Sequence, residues 1–177
     1  IYKVVVTDGD GDSATQTVTI TITGQNDAPV ALAVEADADE DGPSITVTAD
    51  YSDVDASDSH TFGVDTTGTL GLVTNNNDGT FTYHPNGQFE SLADGETATD
   101  TFSYTVTDNS GASSTETVTV TIHGQNDAPE AVADSYTTAE DTPLTVAAAG
   151  VLANDSDRGG GTLTSILVAG PAHGTPS

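Results

Sequence analysis

Short runs in which apolar and polar residues alternate recur along the whole chain. Residues 117–122 place Val or Ile at every second position with Thr between them, and Ile45, Val47 and Ala49 alternate in the same way. Because successive side chains of a β-strand point to opposite faces, this period of two predicts strands with one buried face. No stretch shows the period of a long amphipathic helix, and residues 89–93 are predicted to form one short turn.

Further strands follow from the same pattern and from strong turn signals. Phe81 and Tyr83 follow Asn77-Asp78-Gly79, which is typical of a hairpin turn. Additional strands are predicted near residues 31–36, 60–64, 70–74 and 102–106. About seven strands in about 100 residues predict an all-β fold, an immunoglobulin-like Greek-key β-sandwich.

The chain also contains an internal repeat. Residues 24–29, Gly-Gln-Asn-Asp-Ala-Pro, recur unchanged at 124–129, and Val-Thr-Asp at 6–8 recurs at 106–108. An offset of 100 residues suits one sandwich per repeat and is too long for a solenoid unit. The sequence therefore predicts tandem domains: residues 1–27 are the C-terminal strands of a preceding repeat, 28–127 a complete sandwich, and 128–177 the N-terminal half of a following repeat.

The charge of the chain restricts its partners. It carries 28 acidic residues against two basic ones, Lys3 and Arg158, for a formal net charge of −26. Such a surface repels nucleic-acid phosphates and anionic membranes, and no apolar run is long enough to span a bilayer. The chain has no Cys, so disulfides cannot stabilise it. Cations are the natural partners of this charge.

Sandwich topology places several acidic residues at the end of the domain where the chain comes in from residue 27. The hairpin between the last two strands contains Asp108, and the loop after the second strand contains Asp53 and Asp55. Both connections lie at this N-terminal end, because the last strand runs away from it. We expect Asp27 of the linker to meet these carboxylates.

A second group of acids is predicted at the C-terminal end. The first interstrand loop contains Glu40 and Asp41, and the linker that follows the last strand contains Asn126 and Asp127. Asp53-x-Asp55 returns as Asp155-x-Asp157, at an offset of 102, so the following repeat brings its own acids to this linker.

Carboxylates that are forced together repel one another unless a cation lies between them. Ca²⁺ takes six to eight oxygen ligands in a flexible shell, which includes carboxylates and amide carbonyls, whereas Mg²⁺ demands a stricter octahedron. Zinc prefers His or Cys, and no suitably spaced His pair is present. The sequence therefore predicts Ca²⁺ as the bound ion at both linkers.

The motifs resemble a known family. The linker Gly-Gln-Asn-Asp-Ala-Pro, followed by Glu-Asp-x-Pro, then Asp-x-Asp, and a Val-Thr-Asp-x-x-Gly hairpin, is similar to the VCBS and cadherin-like repeats of giant bacterial RTX-type adhesins. The segments 151–157 and 170–175 also resemble that family. The resemblance covers nearly the whole chain, and the twice-repeated linker is its most specific motif.

The resemblance implies roles for individual residues, because Asn and Asp of the similar cadherin linker bind interdomain calcium. These roles pass to the linkers, to the Asp-x-Asp pairs, to the hairpin and to the first loop, namely Asn26, Asp27, Asn126, Asp127, Asp53, Asp55, Asp155, Asp157, Asp108 and Glu40. The cadherin linker begins with an Asp where this chain has Gly24 and Gly124, which leaves open how many ions each linker binds.

Other acidic residues have simpler interpretations. Residues 8–12, Asp-Gly-Asp-Gly-Asp, look like the start of an EF-hand loop but lack its closing Glu, so a solvated hairpin is the favoured interpretation. Asp58 and residues 37–39 are interpreted as solvated charge. Asp94 and Glu96 are left as weaker candidates beside the second linker.

Three functions remain open at this point. The first is a calcium-rigidified stalk, extender or filament segment of a large secreted bacterial surface adhesin that supports adhesion or biofilm formation. The second is a ligand- or glycan-binding module, and the third an accessory domain of a secreted enzyme. The first is favoured, because the acids recur with the repeat and the four His are scattered, so no catalytic role is expected. Neighbouring repeats are the expected partners, and other copies in a fibre are a further candidate.

Overall fold

A computed structural model describes residues 1–170 of the chain. Within residues 28–127 the chain forms strands and turns, and the nine strands are β3 (Val30–Leu32), β4 (Val34–Asp39), β5 (Ile45–Thr48), β6 (Asp50–Ser52), β7 (His60–Asp65), β8 (Leu72–Asn75), β9 (Thr80–His84), β10 (Thr97–Asp108) and β11 (Ser113–His123). The seven predicted strands become nine segments because the first two are each divided, near Ala33 and Ala49. No helix in the described part is long and apolar enough to cross a membrane.

The strands form a sandwich. One sheet has the order β4-β11-β10-β7, and the opposite layer contains β5-β9-β8 together with the β3-β6 pair. Neighbours are antiparallel except β4 and β11, which pair in parallel from Val34↔Val118 to Asp39↔His123. The prediction of an all-β, immunoglobulin-like sandwich is confirmed.

The alternation in the sequence determines the core. Val118, Val120 and Ile122 of β11 are fully buried, and Tyr104 and Val106 of β10 lie beside them. Phe81, Tyr83 and Val47 complete this apolar layer from the opposite sheet, while Thr and Ser occupy the outward positions of β10 and β11. A period of two therefore sorts each strand into a core face and a hydroxyl face.

Asp100 is a carboxylate inside this core. It is 4 % exposed, and it accepts hydrogen bonds from the backbone N–H groups of Gly71 at 2.8 Å and Thr101 at 2.9 Å. The Tyr83 hydroxyl donates to the same carboxylate at 2.9 Å, and Leu70 N–H donates at 3.1 Å. Burial and the adjacent charge of Asp100 raise the pKa of Tyr83 well above its ordinary value. Asp100 thus fixes the loop before β8 to strands β9 and β10.

The N-terminal segment is a hairpin of β1 (Tyr2–Thr7) and β2 (Ser13–Val18). Asp8 Oδ1 accepts hydrogen bonds from the N–H groups of Asp10 at 3.1 Å and Asp12 at 2.9 Å, which closes the turn. Asp108 closes the β10–β11 turn in the same way. The geometry favours the hairpin interpretation of residues 8–12 over an EF-hand loop.

The segment after the second linker has little regular structure. Between residues 128 and 170 it contains one 3₁₀ turn, Gly150–Leu152, and one isolated bridge between Glu130 and Ser156. The division of the chain into three pieces stays a prediction. Most of the motif at 170–175 lies outside the described residues.

Two acids at loop tips give the sandwich a defined pH dependence. Asp65 Oδ1 and Asp78 Oδ1 each accept hydrogen bonds from the hydroxyl and N–H of a Thr two residues on, and these bonds hold both pKa values below 3.8. Since their pKa is lowered by folding, their stabilising contribution is complete above pH 3.8 and is lost as the pH falls through the folded values. We expect carboxyl NMR titrations to show both groups ionising below 3.8, and Thr80→Ala to return Asp78 toward that value.

Candidate metal centres

Three carboxylates meet at the N-terminal end of the sandwich. Oxygen atoms of Asp53, Asp58 and Asp108 all lie within 4.8 Å of one another. Asp53 follows β6, Asp58 lies in the loop before β7, and Asp108 is the last residue of β10. They converge because β10 and β7 are antiparallel neighbours, with Asp108 opposite His60.

Asp108 joins the first linker to the sandwich. Its Oδ1 accepts hydrogen bonds from the N–H groups of Ser110 at 2.9 Å and Ala112 at 2.8 Å, and its Oδ2 accepts one from the Asn26 amide at 2.9 Å. The Asn26 bond is the main reason that the pKa of Asp108 lies below its ordinary value, although the side chain is only 5 % exposed. Asp108 is therefore held ionised in a nearly buried position.

Its two neighbours have opposite shifts. A hydrogen bond with His60 Nε2 at 2.9 Å, followed by one from the Asp55 N–H, holds the pKa of Asp53 below its ordinary value. Burial, and then the charges of Asp55, Asp53 and Asp108, raise the pKa of Asp58. A raised pKa is the expected behaviour of a carboxylate placed among like charges.

The linker residue Asp27 contacts this group through its backbone. Its N–H donates to Asp55 Oδ2 at 2.8 Å, while its side chain is exposed and stands outside the group of three. The predicted residues Asn26, Asp53, Asp55 and Asp108 are thus brought together, and Asp27 supplies the connection to them.

A second group of three lies at the C-terminal end. Carboxylate oxygens of Asp41, Glu90 and Asp127 are all within 4.8 Å of one another. Asp41 lies in the turn after β4, Glu90 in the turn between β9 and β10, and Asp127 in the linker after β11. The group therefore joins two loops of the sandwich to the linker.

Two buried oxygens in this region have no hydrogen-bond donor among the described residues. Glu40 is 3 % exposed, and its Oε1 accepts a hydrogen bond from Gln125 N–H at 2.7 Å, whereas Oε2 has no partner. Asp127 Oδ2 is also buried without a partner. Burial raises the pKa of Glu40, the Gln125 bond lowers it, and the charges of Asp127, Asp41 and Glu90 raise it further. Buried polar atoms are almost always paired, so these two oxygens point to a missing positive partner.

The remaining predicted residues lie beside this group. Asn126, Asp127, Asp155 and Asp157 line one open cavity of about 370 Å³. Asp155 Oδ1 accepts from Val132 N–H at 2.8 Å and Asp157 Oδ1 from Gly161 N–H at 3.1 Å. Asp157 therefore shapes its own loop and Asp155 holds the segment after the linker, and both stand outside the group of three among the described residues.

Sequence reasoning missed two members of these groups. Asp58 was interpreted as solvated charge, but it is half-buried beside Asp53 and Asp108. Glu90 falls in the predicted short turn and was given no role. The signal for Asp58 was its position in the same loop as Asp53 and Asp55. Of the two weaker candidates, Asp94 is exposed and stands outside the group of three, and Glu96 accepts a hydrogen bond from Ala93 N–H at 3.0 Å and closes its own loop.

All donors in the two groups are oxygen atoms of carboxylates, with an amide group beside the first. This set fits a hard cation such as Ca²⁺, and the unpartnered oxygens of Glu40 and Asp127 fit it as well.

Solved structures with a similar chain trace include two protocadherins. The structure of protocadherin gamma B2 extracellular cadherin domains 1–5 gives a TM-score of 0.49 at 23% identity, covering 80% of this chain and 28% of that one. Protocadherin gamma B7 domains 1–4 give 0.46 at 16% identity, covering 80% and 44%. A SusE-like surface-located polysaccharide-binding protein from Bacteroides thetaiotaomicron gives 0.36 at 11% identity, covering 68% and 22%. The chain thus spans less than half of each structure.

The matches to protein families are more specific than the matches to solved structures. Residues 126–177 match the family described as bacterial Ig domain, and no curated protein matches the chain. Domains of the bacterial cadherin-like and Ig kinds are typically extracellular or at the cell surface, in structural or adhesive modules. Residues 26–124, more than half of the chain, match the family described as bacterial cadherin-like domain, and the chain belongs to that family.

Proposed function

We propose that the chain is a calcium-rigidified stalk, extender or filament segment of a large secreted bacterial adhesin of the VCBS or RTX type, where it supports adhesion or biofilm formation. The observation that carries this proposal is the placement of two carboxylate groups at opposite ends of one sandwich, each in contact with a linker. A cation at either end would connect the sandwich to the segment beyond the linker.

Calcium would be held by different loops at the two ends. At the first linker the ligands would be Asp53, Asp58 and Asp108, with Asn26 beside them. At the second they would be Asp41, Glu90 and Asp127, together with the unpartnered Oε2 of Glu40. The ion supplies the positive charge that lets these carboxylates stay ionised at close range.

The overall charge supports the same proposal. The region 28–127 contains no Lys or Arg, so its carboxylates have no internal counter-ions of that kind. A large net charge destabilises the compact state through self-repulsion, and bound divalent ions relieve it.

The alternatives are less well supported. A glycan site commonly presents aromatic rings to the sugar, but Phe81, Phe102, Tyr83 and Tyr104 are all buried in the core. We also propose no catalytic role, because the acids of the linkers and of the Asp-x-Asp pairs recur with the repeat.

Small-angle X-ray scattering of the full chain tests the proposal. In Ca²⁺ we expect a larger maximum dimension than in EGTA, because both linkers are then held straight. Mg²⁺ at the same concentration serves as the matched control and is expected to restore less of the extension. Identical scattering curves in Ca²⁺ and EGTA would contradict the calcium-hinge proposal.

The variant Asp127→Ala tests the second linker alone. We expect it to loosen this linker in Ca²⁺ while changing the unfolding free energy in EGTA by less than about 1 kcal/mol, because Asp127 Oδ2 loses no hydrogen bond from the residues that the structure describes. The chain has no Cys, so Thr99→Cys and Ser165→Cys allow clean spin labelling across the linker. The distance distribution should broaden in the variant and stay narrow in Asp94→Ala, which removes an exposed acid at the same end. Global unfolding of Asp127→Ala would show that the residue is a core element and not a ligand.

A further inference from the structure

One of the two basic residues of the chain lies at the second linker. Arg158 Nη1 is 3.1 Å from Glu90 Oε2, so the segment after the linker is paired with the sandwich before it. Glu90 is also a member of the group with Asp41 and Asp127. The other basic residue, Lys3, lies on β1, in the hairpin that precedes the first linker.

The loop that carries Arg158 is shaped to lie against the sandwich. Asp157 O accepts a hydrogen bond from Gly160 N–H at 3.2 Å, and its Oδ1 accepts one from Gly161 N–H at 3.1 Å. Gly160 has a φ of +73°, which favours glycine. A Cβ on Gly159 would lie 3.8 Å from the backbone atoms Ala93 Cα and Asp127 N, so the loop backbone passes directly over the C-terminal end.

The equivalent loop of the complete sandwich is more acidic, since residues 53–58 contain three Asp and no basic residue, whereas residues 155–160 contain two Asp and Arg158. At the offset of 102 residues that relates Asp53 to Asp155, Arg158 corresponds to Ala56 and Gly160 to Asp58. The loop at the second linker has therefore exchanged a carboxylate of the first group for glycine and has gained a guanidinium. The two linkers cannot respond to cations in the same way.

We propose that Arg158 is a built-in cation of the second linker: it holds the loop 157–161 on the sandwich through Glu90 when calcium is absent, and it competes with calcium for that carboxylate. The pairing that holds the loop does not depend on the proposed function, whereas the competition with calcium rests on it. The pair is partly exposed, with 62% of the Arg158 and 29% of the Glu90 side chain accessible, so the expected effects are moderate. Pairs of this kind change an equilibrium by about two- to fivefold.

The test uses the full chain labelled at Thr99→Cys and Ser165→Cys. In EGTA, Arg158→Gln should lower the ratio of close to open conformations about two- to fivefold. High salt should do the same to the parent chain and change the variant little, because screening removes the same attraction. Arg158→Lys should restore part of the close population. Lys3→Gln removes the same charge elsewhere and should leave the distances unchanged.

Calcium titration of the same labelled chains separates pairing from simple packing. Arg158→Gln should bind Ca²⁺ at the second linker about two- to fivefold more tightly, because Glu90 is released. Glu90→Gln should loosen the linker in EGTA but bind Ca²⁺ more weakly. Unchanged distances for Arg158→Gln in EGTA would overturn the pairing, and unchanged or weaker Ca²⁺ binding would overturn the competition. If Arg158→Gln loosens the linker in EGTA but no chain responds to calcium, the proposed pairing of Arg158 with Glu90 stands and the proposed function fails.

Discussion

Replacing Asp100 with alanine is expected to lower the free energy of unfolding of the sandwich by about 3–5 kcal/mol, because several buried donors lose their acceptor at once. The backbone N–H groups of Leu70, Gly71 and Thr101 and the Tyr83 hydroxyl all donate to this one carboxylate. Total stabilities of domains are about 5–15 kcal/mol, so the loss would be a large part of the whole. Urea denaturation of the parent chain and the variant measures it.

Two variants control this experiment. Tyr83→Phe removes one of the donors and leaves the others paired, so we expect a loss of about 1 kcal/mol. Asp94→Ala removes an exposed acid and should change the unfolding free energy by less than about 0.5 kcal/mol. A loss below about 1 kcal/mol for Asp100→Ala would mean that water or loop movement satisfies the donors.

Calcium is expected to raise the melting temperature of the sandwich strongly. An ion at one hundred times its dissociation constant adds about 2.7 kcal/mol per site. Since about 1 kcal/mol shifts the melting temperature of a domain of this size by about 4–8 °C, each filled site should add about 10 °C or more. Calorimetry in Ca²⁺ and in EGTA measures the difference.

The calcium responses of the two ends can be measured separately with neutral substitutions of the two acids that sequence reasoning missed. Asp58→Asn should remove most of the calcium-dependent rise in melting temperature that the first end contributes. Glu90→Gln should remove most of the rise that the second end contributes. The exposed Asp94→Asn is the matched control and should keep the full calcium response. Coincident melting curves in Ca²⁺ and EGTA for the parent chain would show that these groups do not bind calcium with useful affinity.

Much of the fold was predictable because a hydrophobic period of two leaves little choice of secondary structure or of strand register. A shift of one residue in β11 would expose Val118, Val120 and Ile122 and bury Thr, so the alternation specifies both the strand and its register. The location of Asp53 and Asp108 at one end followed from strand direction alone.

The division of the first strand was not predictable from this pattern. β3 pairs with β6 while β4 pairs with β11, so the chain changes sheets near Ala33. The exchange depends on tertiary pairing, since the residues on either side have similar strand propensities.

The two acids that sequence reasoning missed, Asp58 and Glu90, have a similar explanation. Side-chain direction in a loop depends on backbone hydrogen bonds such as Gln125 N–H to Glu40, which orient Glu40 inward. Asp58 and Glu90 lie in loops of this kind, and their neighbours in space come from distant parts of the sequence. Strand periodicity carries no information about them.

The parallel pairing of β4 with β11 has a mechanical consequence. β4 lies near the point where the chain comes into the sandwich and β11 near the point where it leaves, and the two strands are joined over six residue pairs. Tension along the chain would slide these strands past each other lengthwise, so their hydrogen bonds would share the load and break together. An unzipping geometry would break them one at a time. This sandwich is therefore built to resist being pulled from its two ends.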